Sequence, residues 1–253
     1  MEESAPSSPR TAARLVRDAA GYGLDFLVKH GWRMLLWFFC LLLPLWAFAS
    51  LVGEVHEKAV FPFDAPMLNL LHAWATPWLD RFFIFMTQLG YTWGVVPVDV
   101  AVLLFLLLRR RFRDALFFGI AVIGSVVLNI VAKNHYARLR PDLWISLRPE
   151  TTYSFPSGHA MASATLAVAL TVLAWPTRWR WLVLTASAAF VLLVGFSRIY
   201  LGVHYPSDIL AGWAAAIAWT VGMYLLVDQK APTPPPTAVP RRDTVGPQKA
   251  PVE

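Results

Sequence analysis

The sequence predicts an all-α polytopic membrane protein, built as a bundle of six transmembrane helices. Three observations carry this. Of its 253 residues 57% are hydrophobic and only 15% charged, with a mean hydropathy of +0.51, whereas a soluble domain carries nearer ~25% charged residues. Apolar runs recur along the chain at lengths that cross a hydrocarbon core of about 30 Å. The Lys and Arg residues gather in alternate turns between those runs, so the net charge of +6 and the pI of about 9.7 read as helix-orienting loops and not as a nucleic-acid surface. The single cysteine, Cys40, lies inside an apolar run and offers neither an intramolecular disulfide nor a metal cluster.

In chain order, residues 1–33 are polar and basic. Leu15, Ala19, Tyr22 and Phe26 would share one face of a helix over 11–30, which fits a helix lying on the membrane surface as well as it fits a solvated tail. Met34–Val52 is the first span. It contains Ala47-Phe48-Ala49, which resembles a signal-peptide cleavage site, but the preceding polar region is long and the run is full length, so it reads as a span. Residues 53–81 are mixed; Asp64-Ala65-Pro66 suits a helix start, and Trp74 and Trp78 suit an interface. Phe82–Met86 opens a second apolar stretch, which Trp93–Leu108 completes after Gly90, with Asp99 inside it. Ala115–Ala132, His159–Trp175, Trp181–Gly195 and Ile209–Val227 are the third to sixth spans. The tail from Asp228, with its PTPPP run, reads as disordered. The expected organisation is therefore an N-terminal segment (1–33), a membrane domain (34–227) and a proline-rich tail (228–253).

Charge gives the orientation. Five Lys and Arg precede residue 34, four lie in 109–113, two in 176–180 and four in the tail. The opposite side holds two in 53–81, four in 133–157 and one in 196–205. This bias places both termini in the cytoplasm. The exception, the loop that starts at Lys133, needs a reason of its own.

Three polar clusters stand at the non-cytoplasmic helix ends: KNHYARLRP (133–141), PSGH (156–159) and SRIYLGVHYPSD (197–208). Lys133, Arg140 and Arg198 are cations at a membrane face with no equal set of carboxylates nearby in sequence, and charges so placed need an anion. Phosphate fits, because Arg and Lys bind its oxygens through charge-assisted bonds. Ser157 can cap a helix and Gly158 lets backbone approach a ligand, so the amides there add an anion site. His159 and His204 stand beside this cradle. Asp208, one turn after His204 and behind Pro206 at a helix start, can fix the imidazole tautomer. An oxyanion cradle, a nucleophile with an orienting acid and a second histidine as proton donor make a set for phosphoryl transfer. There is no Walker loop and no carboxylate cluster for magnesium, so the expectation is a metal-free, cofactor-free route through a phosphohistidine.

These residues resemble the type 2 phosphatidic acid phosphatase superfamily, whose pattern is K-x6-R-P, P-S-G-H and S-R-x5-H-x3-D. The chain has Lys133…Arg140-Pro141, Pro156-Ser157-Gly158-His159 and Ser197-Arg198…His204…Asp208, with every specified position filled. The resemblance covers roughly residues 34–227 and implies that His204 attacks phosphorus, Asp208 orients it and His159 protonates the leaving oxygen. It further implies that Lys133, Arg140, Ser157, Gly158 and Arg198 bind the phosphate oxygens, and that the substrate is a lipid phosphate or diphosphate such as phosphatidic acid, phosphatidylglycerophosphate or undecaprenyl diphosphate. The expected location is a bacterial inner membrane with the site on its outer face.

Other readings keep part of this picture. A phosphohistidine can pass its group to a second lipid, making a phosphotransferase. A non-catalytic lipid-phosphate binder or transporter would not need both histidines. Vanadate-dependent haloperoxidases share the pattern but are soluble. His135 and Arg138 fill no fixed position and read as loop or headgroup contacts, while His30, His56 and His72 have no partners of the same kind. The twelve tryptophans read as interface anchors.

Overall fold

A computed structural model describes residue 35 and residues 38–57 and 61–227. The surface helix expected over 11–30 and the tail from residue 228 lie outside them. The described residues form helices and no strands. In order these are α1 (Phe38–His56, with a π-helical first stretch Phe38–Leu42), α2 (Asp64–Ala73), α3 (Pro77–Leu89), α4 (Val95–Leu108), α5 (Phe112–Tyr136), α6 (Gly158–Ala174), α7 (Arg180–Tyr200) and α8 (Pro206–Val227).

Among the described residues four helices, α1, α5, α7 and α8, are long and apolar enough to cross a membrane, and α4 and α6 are shorter apolar helices. These six helices correspond in order to the six expected spans, four of them at full crossing length. The second differs from expectation. The apolar stretches on either side of Gly90 do not join, and α3 and α4 are separate helices. At Gly94 the chain folds back so tightly that a Cβ would meet the Leu89 carbonyl oxygen at 2.2 Å. The 14 residues of α4 reach only about 21 Å.

Lipid is the solvent this surface expects. Leu104, Phe105 and Leu108 on α4 and Ile123, Val127, Ile130 and Val131 on α5 are all exposed. Exposed tryptophans mark both ends of the bundle: Trp175, Trp179 and Trp181 at the α6–α7 turn, and Trp74, Trp78 and Trp93 beside the turns that flank α3.

With no hydrophobic drive between helices in lipid, close approach of small residues holds the centre together. Helix α6 buries Ala160, Ser163, Ala164 and Ala167, and α8 buries Ala211, Gly212, Ala214, Ala216 and Ala218. A Cβ on Gly212 would lie 2.9 Å from the Ser157 carbonyl oxygen, so glycine there lets α8 press against the start of α6. One apolar cluster (Phe117, Phe118, Ala121, Leu166, Ala169) fills the far half of the bundle. A second (Leu68, Ala160, Ile199, Ile209) lies beside the helix ends that carry the polar motifs.

Candidate active site

The site is built from helix ends. Helix α5 delivers Lys133 in its last turn and stops at Ala137, whose left-handed backbone (φ 44°) turns the chain back over the bundle. The loop 138–157 carries Arg138, Arg140, Glu150 and Ser154. Helix α6 begins at Gly158, capped by the Ser157 hydroxyl accepting from the Ala160 amide at 3.5 Å. Helix α7 carries Arg198 in its last turn, and α8 starts at Pro206, placing Asp208 in its first turn.

Asn129 of α5 donates to the Pro156 carbonyl at 3.1 Å, fixing the approach to α6. The Ser157 amide donates to the Asp208 carbonyl at 3.1 Å, tying α6 to α8. Ser157 is thus fully buried and engaged as cap and staple. The Gly158 and His159 amides belong to the first helical turn, where donors lack intrahelical acceptors.

His204 is 1% exposed. Its Nδ1 lies 3.4 Å from Asp208 Oδ2 and 3.5 Å from the Ser154 hydroxyl, which itself donates to Asp208 Oδ2. The Tyr205 amide donates to the same oxygen at 2.9 Å. The other ring nitrogen, Nε2, is 3.2 Å from Arg140 Nη1. A guanidinium only donates, so this network assigns the proton to Nδ1 and leaves the Nε2 lone pair facing the cations. Burial, then Arg198, Arg140 and Lys133, push the imidazole well below its ordinary value of 6.5, so the ring is neutral at neutral pH.

The three cations converge as the sequence suggests. Arg140 donates from Nε to the Thr152 carbonyl at 2.6 Å and from Nη1 to the Val203 carbonyl at 2.6 Å. Lys133 Nζ donates to Thr152 Oγ1 at 3.2 Å and to the Tyr153 carbonyl. Arg198, 1% exposed, donates to Thr87 Oγ1 and to Glu150, while its Nε has no partner among the described residues. A buried unmatched N–H is a donor awaiting an acceptor.

Glu150 is one residue that sequence reasoning missed. The cations looked short of carboxylates because Glu150 lies ten residues beyond Arg140 in a loop of no regular period. Here its Oε2 accepts from Arg140 Nη2 at 2.7 Å, its Oε1 accepts from Arg198, and Oε1 stands 4.0 Å from His159 Nδ1. Burial raises its pKa, but the guanidiniums of Arg198 and Arg140 outweigh that and hold it down at about 2. A carboxylate thus sits between the two guanidiniums, where anion oxygens would lie. His159 packs its ring against Tyr91 at 5.2 Å between centroids. Arg138, expected as a loop or headgroup contact, turns inward and pairs with Asp208 at 2.5 Å and Asp64 at 2.9 Å. Asp99, unplaced by sequence, lines a 230 Å³ cavity with Tyr91, Ser125 and Thr165.

Residues 114–232 match the PAP2 superfamily. An undecaprenyl-diphosphatase of Sulfolobus acidocaldarius is 30% identical over 175 residues, 67% of this chain and 81% of that protein. The chain belongs to the PAP2 superfamily. A phosphatidylglycerophosphatase B of Bacillus subtilis is 29% identical over 175 residues, 67% of this chain and 86% of that one. The crystal structure of a transmembrane PAP2 type phosphatidylglycerolphosphate phosphatase from Bacillus subtilis superposes with a TM-score of 0.65 at 25% identity, covering 72% of this chain and 94% of that one. Like these PAP2 relatives, the chain is an integral membrane protein of a lipid phosphatase family, and its chemistry is phosphoric monoester or diphosphate hydrolysis.

Proposed function

We propose that this PAP2 protein removes phosphate from a lipid phosphate or diphosphate through a phosphohistidine on His204, without a metal ion. The observation that carries this reading is the His204 ring itself: neutral, with Nδ1–H held by Asp208 and the Nε2 lone pair turned toward a cluster of cations. Substrate phosphate displaces Glu150 and takes the donors of Lys133, Arg140 and Arg198, joined by the amides that begin α6. His204 Nε2 attacks phosphorus as the bond to the lipid oxygen breaks, and His159, having taken a proton from the bound substrate phosphate, gives that oxygen its proton. His159 then accepts a proton from water as the water oxygen attacks phosphorus and the P–N bond breaks, releasing inorganic phosphate. The cations stabilise the charge that builds on the equatorial oxygens.

An apolar cavity of 380 Å³ supports a lipid as substrate. It is lined by Leu128, Val131 and Ala132 of α5, Ala215 and Ala218 of α8, and Pro156, the residue before the capping Ser157. A hydrocarbon chain seated there places its headgroup toward the start of α6. The distribution of Lys and Arg supports cytoplasmic termini and a site on the non-cytoplasmic face of the membrane.

The test is phosphate release by purified protein in detergent with EDTA, from undecaprenyl diphosphate, phosphatidylglycerophosphate, phosphatidic acid and diacylglycerol diphosphate. Release from at least one lipid in EDTA is expected; release that EDTA abolishes, or none from any of them, contradicts the reading.

The pH dependence follows from His204. Its depressed pKa means that the nucleophilic neutral form persists as pH falls through 6.5 and is lost only well below it. The acid limb of kcat/KM that belongs to this group is therefore expected below pH 6.5. A limb at or above 6.5 contradicts the neutral-nucleophile assignment.

A further inference from the structure

Behind His204 stands a second layer of buried charge that no fixed position of the three motifs includes. Asp208 is fully buried and divides its oxygens. Oδ2 serves His204, Ser154 and the Tyr205 amide, while Oδ1 accepts from Arg138 Nη1 at 2.5 Å. The same Nη1 donates to the Ser207 hydroxyl at 2.8 Å, and Nη2 donates to Asp64 Oδ2 at 2.9 Å. Asp64, 2% exposed and first residue of α2, also accepts from the Ser207 amide at Oδ1 (2.9 Å) and from the Ser207 hydroxyl at Oδ2 (2.6 Å). The guanidinium carbon of Arg138 lies 4.2 Å from the centre of the Tyr205 ring. Its fork is therefore fixed on one face by an aromatic ring and at its ends by two carboxylates.

We propose that Arg138 and Asp64 are positioning residues for the reaction, acting on His204 through Asp208. The proposal rests on His204 being the nucleophile. A carboxylate with two free oxygens can rotate; one pinned at Oδ1 by a guanidinium must present Oδ2 to the imidazole. Asp64 holds that guanidinium from the far side, so Asp208 is not drawn toward a loosely held cation. The charges matter as well as the geometry. Asp64, Arg138 and Asp208 sum to one negative charge, the complement of the positive charge that His204 gains while phosphorus is bound at Nε2. Buried charges of this kind are retained only when each is paired. Asp64 lies 50 residues before the segment that matches the PAP2 superfamily (114–232), so this support comes partly from outside it.

The test separates positioning from phosphate binding. Arg138→Gln, Arg138→Lys and Asp64→Asn are compared with wild type for kcat and for inhibition by inorganic phosphate, with His204→Ala as the control for the nucleophile. Misplacing a reacting group by an ångström costs about 10²-fold, and Arg138→Gln is expected to lose kcat on that scale while its phosphate inhibition constant stays within about threefold. Asp64→Asn is expected to lose kcat about tenfold with the same split. Arg138→Lys keeps the charge but not the fork and is expected to fall between wild type and Arg138→Gln. If Arg138→Gln does not fold, the same split in Asp64→Asn or Arg138→Lys decides. Wild-type kcat in the folded variants beside an inactive His204→Ala overturns the network alone. Parallel loss of kcat and phosphate binding also overturns it, by placing these residues in the cradle. Full activity of His204→Ala removes the reading on which the proposal rests.

Discussion

Replacing His204 by alanine is expected to lower phosphate release by about 10⁴-fold or more, the scale on which removing one member of a nucleophile–base unit is felt. The size follows from the division of labour around the ring. Lys133, Arg140 and Arg198 bind and stabilise, but none of them can form a bond to phosphorus. Water entering the emptied space lacks the Asp208 contact that aligns Nε2. The substituted protein should still bind inorganic phosphate, because the cations remain. Since His204 is buried, His204→Asn serves as the variant of similar size; an equal loss in both, with thermal unfolding near wild type, separates lost chemistry from lost fold. Activity within tenfold of wild type in either one contradicts the nucleophile assignment.

Arg198→Gln is expected to have the next largest effect, a loss of about 10³-fold in kcat/KM, as for a preorganised oxyanion donor in a water-excluded site. Arg198 is nearly inaccessible, its Nη atoms are held by Thr87 and Glu150, and its Nε lacks a partner among the described residues. The substitution removes a charge that the phosphate must find in place. It also acts on His204: Arg198 is the leading cationic cause of the depressed imidazole pKa, so its loss should move the acid limb of kcat/KM upward. Arg198→Lys, with the charge but not the planar fork, should recover part of the rate and most of the pH profile. A loss under tenfold in Arg198→Gln, or an acid limb that moves down, contradicts this role.

The site was legible wherever its residues sit at helix ends with fixed spacing. His204 and Asp208 are one helical turn apart, and Ser157 and Gly158 start a helix because serine caps and the next turn is apolar. The spans were legible from length, except where Gly90 and Gly94 break an apolar run that composition alone joins. What escaped is what the chain brings together from afar. Glu150 pairs with Arg198 across 48 residues, and Asp64 with Arg138 across 74, through loops whose course no periodicity encodes. Arg138 was read as a loop or headgroup contact because its partners, unlike those of His204, are not its sequence neighbours.

The most direct measurement is rapid acid-free quenching of the enzyme during turnover of a lipid labelled in its phosphate, followed by peptide mapping of the label. An acid-labile, base-stable phosphoryl group on the peptide containing His204, formed and discharged at rates that match turnover with EDTA present, is the expected result. Turnover with no label on the chain, or label on a residue other than His204, would contradict the phosphohistidine mechanism.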